Sequence, residues 1–153
     1  KTPHPRHDPS GHSYGQSEPK PLVFSPDEWR SSEDYLYGID LYNFAYWWEC
    51  HEVFEGLWHA VGHKTLQGNF FQALIQVAAA NLKRLLGAAS PADNLARACL
   101  KRLAKVPPRY MDVDVAAFSR DVRDYFTGLR AHPPLIRLGL PSRQTDRSQQ
   151  TRL

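Results

Sequence analysis

GNFFQALIQVAAANLKRLLG, residues 68–87, is apolar on nearly every side of a helical wheel. A surface helix keeps one broad polar face, so a helix like this belongs at the centre of a fold with other helices around it. Gln72, Gln76 and Lys83 share its one polar stripe with Ala79, and Asn69 lies close by. Ala73, Ala79 and Ala80 are small enough to let a neighbouring helix approach. It is not a membrane span: its most apolar part, ALIQVAAANL, is interrupted by Gln76 and Asn81 and falls short of the ~18 residues a span needs.

Three more helices are expected around this one, which itself runs from about Leu66 to Leu86 and stops at Gly87. The preceding helix runs from about Ile39 to Val61 and stops at Gly62. After it, Ser90-Pro91-Ala92-Asp93 supplies an N-cap, a first-turn proline and an early acid for a third helix that ends at Pro107-Pro108. The last starts near Asp112 or Asp114, with Val115, Phe118, Val122, Tyr125, Phe126 and Leu129 at steps of three and four. No segment alternates with a period of two. Short connections imply antiparallel neighbours, so the expected fold is all-α, a compact bundle of about four antiparallel helices.

The ends differ from the middle. Residues 1–38 hold half of the twelve prolines, a density that favours extended or turn backbone and defines a Pro-rich arm. Within it SPDEW reads as a short helical start, with Ser25 as N-cap and Pro26 in the first position. The bundle is then residues 39–130. Residues 131–153, ending in SRQTDRSQQTRL, form a polar tail expected to be largely disordered.

WWECHEVFEGLWH, residues 47–59, mixes three Trp and a Phe with His51, His59, Glu49, Glu52 and Glu55. On a wheel continuous from Ile39, Tyr42, Trp47, Cys50, Val53, Phe54, Leu57, Trp58 and Val61 make one apolar arc that reaches His51, and Phe44 and Trp48 extend it beyond. His51 and Glu55 then sit at its edge one turn apart, Glu52 and His59 on its shoulder, and Glu49 opposite. Burying an imidazole and a carboxylate without partners is costly. An amide can serve both at once, so His51, Glu55, Gln72 and Gln76 are expected to meet between the first two helices.

E-x-H-E-x-x-E-x-x-W (Glu49, His51, Glu52, Glu55, Trp58) followed by F-x-Q-x-L-I-Q-x-A-A (Phe70, Gln72, Leu74, Ile75, Gln76, Ala78, Ala79) resembles the bacterial and archaeal domain-of-unknown-function family numbered 309. The resemblance runs from about Tyr42 to Leu103 and implies a small all-α domain. The family has no established activity, so it implies no mechanism. Cys50 departs from it, a smaller residue being usual there.

Four readings compete for the cluster, and a fifth uses another face. It is a structural register lock, or a pocket for an unknown small molecule or protein partner lined by Trp47, Trp48 and Trp58. Alternatively H-E-x-x-E at 51–55 makes a metal-dependent hydrolase: His51, Glu55 and His59 hold a divalent metal, with Glu52 as general base and His4, His7, Asp8 or His12 as a further ligand. Glu52 or Glu55 paired with His51 gives metal-free acid–base work. Finally, Lys83, Arg84, Arg97, Lys101, Arg102, Lys105 and Arg109 offer a basic face to nucleic acid, although a net charge of +3 does not argue for it alone. Two cysteines are too few for a disulfide framework, which suits a reducing cytoplasm, and no apolar secretory segment follows Lys1.

Overall fold

The computed structural model describes Pro9 and residues 21–139. Expectations for the arm up to residue 20 and for the tail beyond 139 lie outside these residues. The chain is an all-α bundle: α1 (Glu33–Asn43), α2 (Trp47–Val61), α3 (Leu66–Leu85), α4 (Ala89–Leu103) and α5 (Val115–Phe126). A 3-10 turn, Pro26–Ser31, precedes α1, and a two-residue ladder joins α4 to α5. Among the described residues no helix is long and apolar enough to cross a membrane.

α3 is the central helix. It packs on α2 along one side and on α4 along the other. Ten of its residues are buried, among them Phe70, Phe71, Leu74 and Val77. Thr65 caps its start by accepting from Gly68 N at 2.9 Å, and Gly87, at φ 79°, follows its end. The turn into α3 is tight because Gly68 has no side chain: a Cβ there would overlap the Gly62 carbonyl oxygen. Ser25 and Glu28 form the capping box of the 3-10 turn, and Asp114 caps α5 by accepting from Ala117 N at 3.0 Å.

Three features differ from the sequence reading. The first predicted helix is two, because the chain breaks at Phe44-Ala45-Tyr46. Ala45 takes φ 63°, held by Ala45 N to Tyr42 O at 3.0 Å and Tyr46 N to Leu41 O at 2.9 Å. Second, Arg109–Tyr110 (β1) and Val113–Asp114 (β2) pair antiparallel around Met111 and Asp112, both at positive φ, the geometry of a two-residue hairpin. Third, packing extends past the 39–130 core at both ends. Phe24 and Tyr35 cluster with Phe71, and Ile136 is 1% exposed. Asn43 clamps Ile136 twice: its Nδ2 donates to Ile136 O at 2.7 Å, and Ile136 N donates to its Oδ1 at 2.8 Å. Buried Tyr42 donates to Pro134 O at 2.8 Å and accepts from Asn81 Nδ2 at 3.2 Å. Leu138 forms a bridge with Val113.

Candidate functional site

α2 turns Cys50, Phe54 and Leu57 into the core. At 100° per residue the opposite side is a stripe of Trp48, Glu52, Glu55 and His59, with His51 and Trp58 on one shoulder and Glu49 and Gly56 on the other. Gly56 is covered in part by Pro21, whose Cγ lies 3.4 Å from where a Cβ would stand. Along the stripe runs a ladder of side chains four residues apart. His51 Nδ1 is 3.6 Å from Glu55 Oε2, and His59 Nε2 is 3.6 Å from Glu55 Oε1. Beyond the helix end, His59 Nδ1 and His63 Nε2 approach to 2.8 Å. Two indoles brace the ladder: Trp48 stacks on His51 (5.8 Å, 2°) and Trp58 on His63 (3.6 Å, 10°).

The expected buried His–Glu–Gln cluster does not form in that way. The Glu55 side chain is 44% exposed and the His51 side chain 28%. Gln72 and Gln76 are half-buried, and among the described residues no hydrogen bond joins either to His51 or Glu55. Three atoms of this region, His51 Nδ1, Trp58 Nε1 and Gln76 Oε1, are shielded from solvent without a hydrogen-bond partner. The cause is the break between α1 and α2. Phe44 and Trp48 had widened the apolar arc past His51, yet they are 76% and 53% exposed. Removing them returns the buried face to Cys50, Phe54 and Leu57 and leaves Glu55 pointing outward.

The other chemistries find these residues differently arranged. Glu55 bridges His51 and His59 through its two oxygens. Among the described residues no group of three or more His, Cys, Asp and Glu is arranged to hold a metal. Glu52 is half-buried and already engaged. Cys50 and Cys99 are buried, and burial pushes both thiols well above their ordinary range, away from nucleophilic use. Trp47 and Trp58 both pack against the core, and Trp48 is exposed. A shallow groove lies elsewhere, between α1 and the C-terminal strand of chain, lined by Ile39, Asp40, Asn43, Ile136, Arg137 and Leu138. On the basic side, Arg97, Lys101 and Lys105 of α4 are exposed. Arg102 holds Asn69 Oδ1 at 2.9 Å and Arg84 sits 4.3 Å over Tyr125, so both tie helices together.

Sequence reasoning passed over three things. His63 completes the ladder; its four-residue step from His59 was visible, but it lies past the Gly62 stop. Exposed Tyr37, Phe44, Tyr46 and Trp48 gather on α1 and the turn into α2. Charge is also segregated. Between Arg30 and Lys64 the chain has six Asp and Glu and no Lys or Arg, while all nineteen Lys and Arg lie outside that stretch. On α1, Glu33, Tyr37, Asp40 and then Phe44 fall on one outward line, acid alternating with ring.

No curated protein matches the chain. Residues 35–95, which run from α1 into α4 and include all of α2 and α3, match the family described as Domain of unknown function (DUF309).

Proposed function

We propose that the domain is a binding module that takes a cationic protein segment on the outward face of α1, α2 and the turn between them. The observation that carries this reading is the coincidence of six acids, with no Lys or Arg among them, and four exposed aromatic rings on one stretch, residues 33–55. Exposed clusters of large apolar side chains mark interaction surfaces. Rings beside carboxylates suit arginine, whose planar guanidinium stacks on an aromatic face while its N–H groups pair with a carboxylate. Tyr and Trp also bring large contact area at low entropic cost. The turn holds Phe44 and Tyr46 out in solvent without support from a regular helix, so they are available at no cost to the core.

The test uses the full chain and two fluorescent peptides of equal length, one of arginines and one of lysines. The arginine peptide should bind more tightly. Glu49→Lys and Trp48→Ala should each weaken it at least tenfold, and Arg97→Glu on the opposite side should not. Equal affinity for both peptides, or parental affinity in Glu49→Lys and Trp48→Ala, would remove the reading.

A further inference from the structure

We infer that His59 and His63, at the other end of α2, form a chelating site for a divalent transition metal of the copper or nickel class. His59 Nδ1 and His63 Nε2 stand 2.8 Å apart. Two bonds of ~2.0 Å to nitrogens at that spacing subtend about 90° at a shared ion, whereas a tetrahedral pair stands roughly 3.3 Å apart. A right-angled pair of imidazoles is the arrangement of square-planar and tetragonal sites, which select Cu(II) and Ni(II) over Zn(II).

The surroundings are those of a held chelate. Metal-bound imidazoles place their second nitrogen against a carboxylate, which fixes ring orientation. Glu55 Oε1 lies 3.6 Å from His59 Nε2, the nitrogen turned away from His63. The indole of Trp58 stacks flat on the His63 ring at 3.6 Å and fixes its plane. The backbone places His63 there: Gly62 takes φ 92°, a conformation open to glycine, and turns the chain back so that His63 lies over Trp58. Both imidazoles are exposed, so an ion reaches them from solvent. Among the described residues no further His, Cys, Asp or Glu completes a set of three, so water or a donor from a partner fills the remaining positions. Without an ion, one N–H lies between the two nitrogens. Binding moves that proton to the other nitrogen of its ring, since a neutral imidazole coordinates through its unprotonated nitrogen and keeps its N–H on the other.

Calorimetric titration of the full chain with NiCl2 and paramagnetic resonance of its one-equivalent Cu(II) complex test this. The parent should bind one Ni(II) and show two imidazole nitrogens on Cu(II). His59→Ala and His63→Ala should each lose the nickel heat and one copper-bound nitrogen, with metal-free melting as in the parent. Glu55→Gln, a change to a positioning residue, should weaken nickel about tenfold and still show two nitrogens. His51→Ala should bind like the parent. Absence of nickel binding in the parent, or parental binding in both alanine variants, overturns the inference.

Discussion

Two glycines, one in each of the first two helices, should respond oppositely to the same substitution. Glycine in a helix interior costs about 1 kcal/mol relative to alanine, so Gly→Ala stabilises wherever the methyl group has room. At Gly56 it has room: among the described residues its only close neighbour is Pro21 Cγ at 3.4 Å. At Gly38 a Cβ would stand 2.7 Å from Phe54 Cε1, 3.0 Å from Cζ and 3.1 Å from Cδ1. Carbon atoms rest at roughly 3.5–4.0 Å, so the ring must retreat by most of an ångström. It has nowhere to go, being fully buried and stacked on Phe71 at 6.1 Å. Overpacking of this kind costs about 1–3 kcal/mol, which exceeds the helical gain. Gly38→Ala should therefore destabilise by about 1 kcal/mol and Gly56→Ala stabilise by about as much. Urea denaturation resolves a difference of that size. Adding Phe54→Leu should make Gly38→Ala less harmful, because the narrower side chain vacates the space. Gly38→Ala as stable as the parent would refute the argument that α1 and α2 meet through a slot cut for Phe54.

Tyr42→Phe should cost about 1–3 kcal/mol at neutral pH, because Pro134 O and Asn81 Nδ2 lose a buried partner. Burial raises the folded-state pKa of Tyr42 and Tyr35 above the ordinary value of about 10. Their contribution is thus complete below that pH and falls as pH rises past it; melting curves through the alkaline range should show the decline, less steeply in Tyr42→Phe. Gln76→Leu should be neutral or stabilising by up to about 1 kcal/mol, since it removes a buried acceptor that has no donor; a loss above that in chemical denaturation would restore a polar lock between α2 and α3. Cys50 and Cys99 should resist iodoacetamide until the protein is unfolded, as mass spectrometry of the native and denatured chain would show.

What could be read from the residues was what local chemistry dictates. α3 followed from its apolar girth and from Gly87, the 3-10 turn from Ser25-Pro26, and the start of α5, near Asp112 or Asp114, from those two acids. The α1–α2 break was hidden because no glycine or proline marks it. Ala45 enters the left-handed region through turn bonds to Leu41 and Tyr42 and the packing of both flanking helices, which are tertiary causes. That one error carried into the site, since it placed Phe44 on the buried side of a helix that does not contain it. The packing of Ile136 was hidden for the same kind of reason. Its partner is Asn43, and no local pattern announces a clamp across ninety-three residues.

That clamp also sets an order of events during synthesis. A ribosome makes a chain from its N-terminus, and α1 to α4 pack mainly on their neighbours in sequence. Tyr42 and Asn43 do not: the Tyr42 hydroxyl, which already accepts from Asn81, has no acceptor for its own proton, and the Asn43 amide has no partner, until residues 134–136 have emerged. Contacts of such long separation are slow to close, because the intervening chain must be brought round first. A nascent chain stalled short of residue 134 should thus hold its helices but leave the far end of α1 open to proteases, and the closing of that seam would mark the moment at which the domain is finished.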